Sequence, residues 1–258
     1  AYYYASISYV DYLTGLVIEE LDNKGILGDT LVIFLADHGD YAGEFGIMGK
    51  TGNFYDCLTH IPFIMTGKGL GIMSGERIEP LVELIDLMPT IAEACGVQIS
   101  DNVQGSSRLS LARGKTNQGA ETVFSETSGP GDNFNYQPDP DSVRGLASDP
   151  HSTGPFSHQM QGVMIRKGDM KLVYYSDGSK ELYNLKNDPD EKNNIVDHSS
   201  YQPVVNELME LLLQKQINTF MPDIPQKPLA YHYRAFSMDS LPDNVIKERL
   251  EWERINKN

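Results

Sequence analysis

An acid, an imidazole and a lysine lie close together in the first fifth of the chain. Asp37 and His38 directly follow an apolar run from Leu31 to Ala36, and Lys50 comes twelve residues after the imidazole. A carboxylate can bind a hard divalent cation, and an imidazole can complete the site or hydrogen-bond a substrate oxygen. An ammonium on a long stem suits a sulfate or phosphate oxygen. Together these groups predict a site that stabilises negative charge on a transferring group.

The elements around these residues follow the order of an α/β domain. Apolar residues at three- and four-residue steps between Tyr2 and Leu21 predict an amphipathic helix, closed by Gly25 in a left-handed turn. The run Leu31–Ala36 predicts a strand buried on both faces, as in a parallel sheet covered by helices. Polar groups beyond the carboxyl end of such a strand lie where open α/β sheets bind ligands. The glycines that follow would let the backbone pass close to a bound anion.

Further along, the patterns predict a second, antiparallel region. "HIPFIMTGKG" predicts another buried strand, "LVELIDLMPTIAEACGV" a helix kinked or restarted at Pro89, and "ETVFSET" a further strand. "GVMIRKGDMKLVYYSDGSKELYNL" contains two hairpin signals between strand-like runs. "PVVNELMELLLQKQINTF" predicts an amphipathic helix.

These patterns predict an α/β fold with four parts. Residues 1–127 form the core, a mixed or parallel sheet flanked by helices. Residues 128–160, rich in Gly, Pro, Asp, Ser and Asn, form a long loop or insertion. Residues 161–220 form a small antiparallel sheet with a packing helix. Residues 221–258 form a tail that wraps the surface and ends in a helix capped by Ser240.

The composition excludes some classes of partner. The 258 residues include 21 Lys and Arg and 36 Asp and Glu, so the formal net charge is −15. Phosphate contacts need clustered basic residues, which argues against a nucleic-acid surface. No run approaches the roughly 20 apolar residues of a membrane span. The two cysteines do not form a C-x-x-C pair and leave the redox compartment open.

Each part of the suspected site has an ordinary alternative. Asp-His-Gly after a strand could form only an Asx turn, and a lone lysine is most often a solvated surface residue. The ordered combination of strand, Asp37-His38-Gly39, glycine-rich loop and Lys50 favours a functional site.

The stretch from Tyr3 to Gly69 resembles the type I sulfatases of the alkaline phosphatase superfamily. Its segments "YYASISYVDYLTGLVIEEL", "GDTLVIFLADHGD", a loop ending in Gly-Lys and "HIPFI" occur in the order of that family. The resemblance continues through "LVELIDLMPTIAEACGV", "VFSE" and "MIRKGDMKLVYYSDGSKELYNLKNDPDEKNNI" to about residue 215. It implies an alkaline phosphatase-like fold and hydrolysis of a sulfate ester.

The resemblance also implies roles for individual residues. Asp37 would be a calcium ligand, and His38 a second ligand or a close neighbour. Lys50 would be a catalytic residue that binds the sulfate group of the ester. His60 stands where family members place a basic residue before the "IP" strand, so it would contact substrate or support the fold. The substrate would be a sulfated sugar, an aryl sulfate or a small alkyl sulfate.

One family motif does not occur in the chain. Type I sulfatases use a formylglycine made from the Cys or Ser of a C/S-x-P-x-R motif, but neither Cys57 nor Cys95 begins one. The resemblance therefore implies a C-terminal part of a sulfatase, inactive alone, with formylglycine supplied by the missing N-terminal part. We expect the strand at Leu31–Ala36 to have an exposed edge that pairs with that N-terminal half or with a second copy. A periplasmic, extracellular or lysosome-like location follows from the family resemblance only.

Two other functions stay open from the sequence. Relatives in the same superfamily hydrolyse phosphodiesters or phosphonate esters, but they use further metal-ligating His and Asp where this chain reads "YAGEFGIMG". A non-catalytic module that binds sulfated glycans or supports folding is the third possibility.

Overall fold

The computed structural model describes residues 2–46, 48–50, 52–100, 103–127 and 161–220. The chain divides into one compact unit of residues 1–214 and a second of residues 215–258, and the second is described only over residues 215–220. The predicted insertion at 128–160 and the predicted tail at 221–258, with Ser240, lie outside the described residues. The three boundaries between the four predicted parts stay predictions.

Helices and short strands alternate in the first part of the chain, and an antiparallel sheet follows. The helices are α1 (Tyr2–Asn23), α2 (Asp56–Thr59), α3 (Leu87–Ala94), α4 (Leu109–Ala112) and α5 (Gln202–Phe220). The strands are β1 (Val32–Leu35), β2 (Tyr41–Ala42), β3 (Met48–Gly49), β4 (Phe63–Thr66), β5 (Thr122–Thr127), β6 (Gly162–Lys167), β7 (Met170–Tyr175) and β8 (Lys180–Asn184).

Helix α1 confirms the helix predicted from apolar spacing. Gly25 follows its end with a φ of 68°, the left-handed geometry that glycine adopts without steric cost. The apolar stripe lies on the surface, because Ile7, Val10 and Val17 are 51, 46 and 60% exposed. No residue of α1 is buried in the described structure, so this apolar face is not part of its core.

Strand β1 was predicted to be fully buried in a parallel sheet, and this prediction is wrong for the described residues. It pairs antiparallel with β4, Val32 opposite Thr66 and Leu35 opposite Phe63. All four β1 residues are half-buried, and β4 alternates between half-buried and exposed side chains. Residues 36–62, which join β1 to β4, contain the two-residue strands β2 and β3 and the four-residue α2. This connection is long enough for either strand direction, so neither it nor the apolar run Leu31–Ala36 specifies the antiparallel pairing.

The predicted antiparallel sheet is confirmed, with strand order β5-β6-β7-β8. Its two hairpins turn at Gly168 and Gly178, with φ values of 56° and 89°. Strands β5 and β6 pair along their whole length, so that Thr127 lies opposite Gly162. Helix α5 packs on the sheet and closes the largest core cluster. That cluster contains Ile165, Leu172, Leu182, Val205, Leu208 and Leu212.

The predicted helix from Leu81 to Val97 begins later than expected. A 3₁₀ turn over Leu84–Asp86 leads into α3, so Pro89 lies in the first turn of the helix. Proline is tolerated there because the first N–H groups of a helix have no intrahelical acceptor. Pro89 therefore accompanies a helix start and causes no kink.

The burial of α2 predicts different reactivities for the two cysteines. Cys57 is half-buried in α2 and Cys95 is exposed. Burial raises the pKa of the Cys57 thiol to about 11, and the carboxylate of Glu44 adds to the shift. At pH 8 only about one Cys57 in a thousand would be thiolate, the reactive form. We expect iodoacetamide to alkylate Cys95 well before Cys57, as measured by peptide mass spectrometry. Equal rates in the folded protein would contradict the packing of α2.

Candidate active site

A cleft of about 1490 Å³ brings together all the residues predicted to form the site. Its walls come from the loops after β1 and β3, from α2 and β4, and from strands β5 and β6 of the antiparallel sheet. The charged or titratable residues in the lining are Asp37, His38, Lys50, Asp56, His60, Glu76, Arg77, Glu79, Glu83, Arg108, Glu126 and Arg166.

Asp37 directs an ionised carboxylate to solvent at the mouth of this cleft. Its side chain is 87% exposed, and its Oδ1 accepts a hydrogen bond of 3.0 Å from the backbone N–H of His38. That N–H holds the pKa of the Asp37 carboxyl below its usual value, and the positive charge of Lys50 adds to the effect. The bond to the adjacent residue differs from an Asx turn, in which the side chain bonds a backbone group two residues on.

His38 contacts Lys50 through one ring nitrogen and its own backbone segment through the other. Nδ1 lies 2.8 Å from the carbonyl oxygen of Gly39, which can only accept, so Nδ1 carries the proton of the neutral ring. The lone pair of Nε2 then accepts from the Lys50 ammonium, 3.1 Å away. Asp37 Oδ2 lies 3.6 Å from the same Nε2. The three residues predicted from their order in the sequence therefore meet within one cluster.

Gly39 fixes the His38 segment on α2. Its N–H donates a hydrogen bond of 2.8 Å to the carbonyl oxygen of Leu58. A Cβ at this position would collide with the carbonyl oxygen of Cys57, so only glycine fits. Gly39 therefore allows close packing of two backbone segments, and the predicted access of an anion to the glycine-rich loop stays a prediction.

The loop that carries Lys50 is held by an aromatic stack. Phe45 has a left-handed backbone, φ 56°, which is unusual for a residue other than glycine. Its ring stacks on Tyr55 with a centroid distance of 4.2 Å, and Tyr41 meets both rings edge-on. Such a conformation persists where the surrounding packing compensates for it. Tyr55 directly precedes α2, so the same short helix supports both His38 and the Lys50 loop.

Lys50 differs from the other cations of the cleft in its partners. Arg77 pairs with Glu79 at 2.8 Å, Arg108 with Asp86 at 2.7 Å and Arg166 with Asp56 at 3.6 Å. Within the described ranges Lys50 has the neutral His38 ring as its hydrogen-bond partner and no carboxylate at ion-pairing distance. Its positive charge is therefore available to a bound anion.

Comparison with known proteins identifies the first part of the chain. The sulfatase family model matches residues 1–97. Arylsulfatase K of Xenopus laevis is 32% identical over 199 residues, which are 76% of this chain and 33% of that protein. These matches place part of this chain in the sulfatase family. The chain spans about a third of the length of this curated relative.

Solved structures confirm the alkaline phosphatase-like fold class. BT4656, solved with its substrate D-glucosamine-2-N,6-O-disulfate, matches with a TM-score of 0.66 at 23% identity, covering 86% of this chain and 41% of its own. The phosphonate monoester hydrolase of Agrobacterium radiobacter matches with a TM-score of 0.64 at 25% identity, covering 83% of this chain and 40% of its own. In the part of this sulfatase-family chain that the structure describes, no helix combines the length and apolarity of a membrane span.

Calcium, which the family resemblance implies, fits Asp37 better than His38. The Asp37 carboxylate is exposed and ionised, as an oxygen ligand must be. The single lone pair of His38 Nε2 already faces Lys50, and an imidazole is a poor ligand for a hard cation. Among the described residues there is no group of three His, Cys, Asp or Glu side chains that could hold a metal ion. Asp37 would supply one ligand of a site that needs others.

His60 lines the cleft at the end of α2. Its side chain is 72% exposed, and Nδ1 lies 3.7 Å from Asp56 Oδ2, beyond hydrogen-bonding distance. His60 is therefore placed where it could meet a ligand, and its role in binding stays a prediction.

A buried charge cluster behind the cleft was missed by the sequence reasoning. Lys171 is the second residue of β7, and its Nζ lies 2.7 Å from Asp56 Oδ1 and 2.8 Å from Glu191 Oε1. The Lys171 side chain is 1% exposed and the Glu191 side chain 3%. Burial raises the pKa of Glu191, and the charge of Lys171 opposes that shift. A lysine inside a strand whose other residues are mostly apolar was the available signal, because a buried lysine needs an acid partner.

Proposed function

We propose that this chain forms part of a sulfuric ester hydrolase and that Lys50 binds the sulfate group of its substrate. The observation that carries the proposal is the Lys50 ammonium, which lies in the cleft beside a neutral His38 and has no carboxylate partner in the described ranges. An ammonium in that position stabilises negative charge that develops on the ester oxygens.

The other residues of the cluster would orient the Lys50 ammonium and help to neutralise the charge of the sulfate group. His38, with Nδ1–H held by Gly39, would keep the Lys50 ammonium pointed at the sulfate. Asp37 would hold calcium, which when bound supplies positive charge to the sulfate oxygens. The formylglycine nucleophile would come from a segment with a C/S-x-P-x-R motif, which none of these 258 residues forms. We therefore propose that the 258 residues alone are inactive and that such a segment completes the site.

A sulfated carbohydrate is the substrate class that we propose. BT4656 acts on a disulfated glucosamine and matches this chain in fold, which supports the choice. The cleft is lined by both cations and carboxylates, among them Glu126 and Arg166, which can donate to and accept from sugar hydroxyl groups.

Hydrolysis of a phosphonate or phosphodiester is the second candidate. The phosphonate monoester hydrolase of Agrobacterium radiobacter matches the chain with a TM-score of 0.64 at 25% identity. Sulfate and phosphonate esters both present anionic oxygens to Lys50, so the described cluster suits either one.

The test is an assay of the protein encoded by the complete reading frame, produced with a formylglycine-generating system. We expect calcium-dependent cleavage of para-nitrophenyl sulfate in preference to the phosphate. We expect Asp37→Asn to abolish this cleavage. Asp40→Asn, three residues away and outside the cleft lining, is the control.

Each other outcome assigns a different function. Preferential cleavage of phosphate or phosphonate would support the second candidate. If the protein cleaved neither compound and none of a panel of sulfated sugars, the proposal would be overturned. The non-catalytic module would then be the remaining function.

A further inference from the structure

The buried charge cluster binds α2 to the C-terminal sheet through both side chain and backbone. Lys171 donates to Asp56 Oδ1 at 2.7 Å and lies 3.5 Å from Thr59 Oγ1, at the two ends of α2. The backbone N–H of Asp56 donates to Glu191 Oε2. Glu191 itself has a left-handed backbone, φ 53°, which packing must hold in place. A four-residue helix is thus fixed by two groups that lie far from it in sequence.

The backbone of α2 also contacts the candidate active site. Its carbonyl groups at Cys57 and Leu58 contact Gly39, which in turn accepts from His38 Nδ1. His38 Nε2 accepts from Lys50. A continuous series of hydrogen bonds and close contacts therefore leads from Lys171, through α2, to the Lys50 ammonium.

We propose that Lys171 and Glu191 are positioning residues, through which the C-terminal sheet sets the geometry of His38 and Lys50. Neither residue lines the cleft in the described structure, so their effect on a ligand passes through α2. The backbone contact at Gly39 has no side chain that could absorb a shift of α2, so a displaced helix displaces His38. The effect on catalysis rests on the proposed function, whereas the effect on His38 geometry does not.

A positioning role also explains why Lys171 and Glu191 are charged, although apolar residues could fill the same buried space. Replacing a buried ion pair by apolar groups of similar volume is often neutral or stabilising. The hydrogen bonds from Lys171 to Asp56 and from the Asp56 N–H to Glu191 have fixed directions, whereas apolar attraction is non-directional. The charged cluster is therefore suited to positioning.

The test is the double variant Lys171→Met, Glu191→Gln, which removes the buried charges but nearly keeps their volume. Asp56 keeps Arg166 as a partner, so it is not left unpaired. The protein encoded by the complete reading frame is labelled with ¹⁵N-histidine, and His38→Gln assigns the His38 signals. We expect the His38 ring signals to shift, and kcat to fall by about tenfold with little change in KM, since small misplacements act on the transition state.

Lys167→Met is the matched control. Lys167 lies in the same sheet and pairs with Glu121 and Glu207, but it has no contact with α2 among these ion pairs. It should leave the His38 signals and kcat unchanged. If the double variant does not fold, Gly39→Ala tests the next link, because its Cβ pushes His38 away from Cys57 without touching the cluster.

Unchanged His38 signals in a folded double variant, or unchanged signals in Gly39→Ala, would overturn the proposal. Shifted signals in a protein without esterase activity would keep the positioning role while rejecting the proposed function. The two hypotheses therefore fail separately.

Discussion

Lys50→Ala is expected to lower turnover of the sulfate ester by roughly 100- to 1,000-fold, the effect of losing one group that stabilises transition-state charge. In the described ranges the Lys50 ammonium has no carboxylate partner, whereas Arg77, Arg108 and Arg166 each pair with a carboxylate. These three cations are therefore not free to replace it. Thermal stability should hardly change, because the lysine is exposed and its hydrogen-bond partner is a single imidazole. Steady-state kinetics and a thermal melt of the same preparation measure both effects.

Lys24→Ala provides the control for Lys50. Lys24 is also exposed, pairs with Glu20 at 2.9 Å near the end of α1 and lies outside the cleft lining. It should keep full activity. If Lys50→Ala lowered the melting temperature while activity per folded molecule stayed intact, Lys50 would be a structural residue and the proposed sulfate contact would be wrong.

Lys171→Ala is expected to lower the free energy of unfolding by about 3–5 kcal/mol, the cost of leaving buried charges without their partner. Glu191 is almost fully buried, and Asp56 would keep the more distant Arg166 and His60. The truncation also leaves a cavity where a long side chain was packed. Urea denaturation followed by circular dichroism measures the change.

The surface lysine of the same sheet gives the comparison for this prediction. Lys167→Ala removes two solvent-accessible ion pairs and should cost far less stability than Lys171→Ala, because such pairs are screened by solvent. Equal effects for the two lysines would mean that the buried cluster does not stabilise the fold as its burial implies.

Local patterns predicted the elements that local interactions determine. The periodicity of α1 and α5 and the turn residues at Gly168 and Gly178 each specify a conformation within a few residues, and the structure contains all four. The orientation of β1 was predicted wrongly, because an apolar run does not specify which strand will pair with it or in which direction.

The sequence predicted which residues form the candidate site but not the contacts between them. The order of Asp37, His38 and Lys50 indicated a common site, because all three lie on one short strand–loop segment. The Lys171 cluster was missed because Asp56 lies 115 residues from Lys171 and 135 residues from Glu191 along the chain. No pattern in a single sequence links residues so distant, and only the fold brings them together.

The pairing of β5 with β6 has a consequence for how the cleft could diversify in evolution. Thr127 and Gly162 are neighbours across the ladder, so the intervening segment leaves and re-enters the sheet at one place, beside the cleft. Lengthening a connection between fixed neighbours costs little, since closure entropy grows only with the logarithm of length. Insertions, deletions and exchanges there can alter what approaches the cleft while the paired strands keep their register. With this arrangement, the specificity of the cleft can change in evolution while the sheet stays the same.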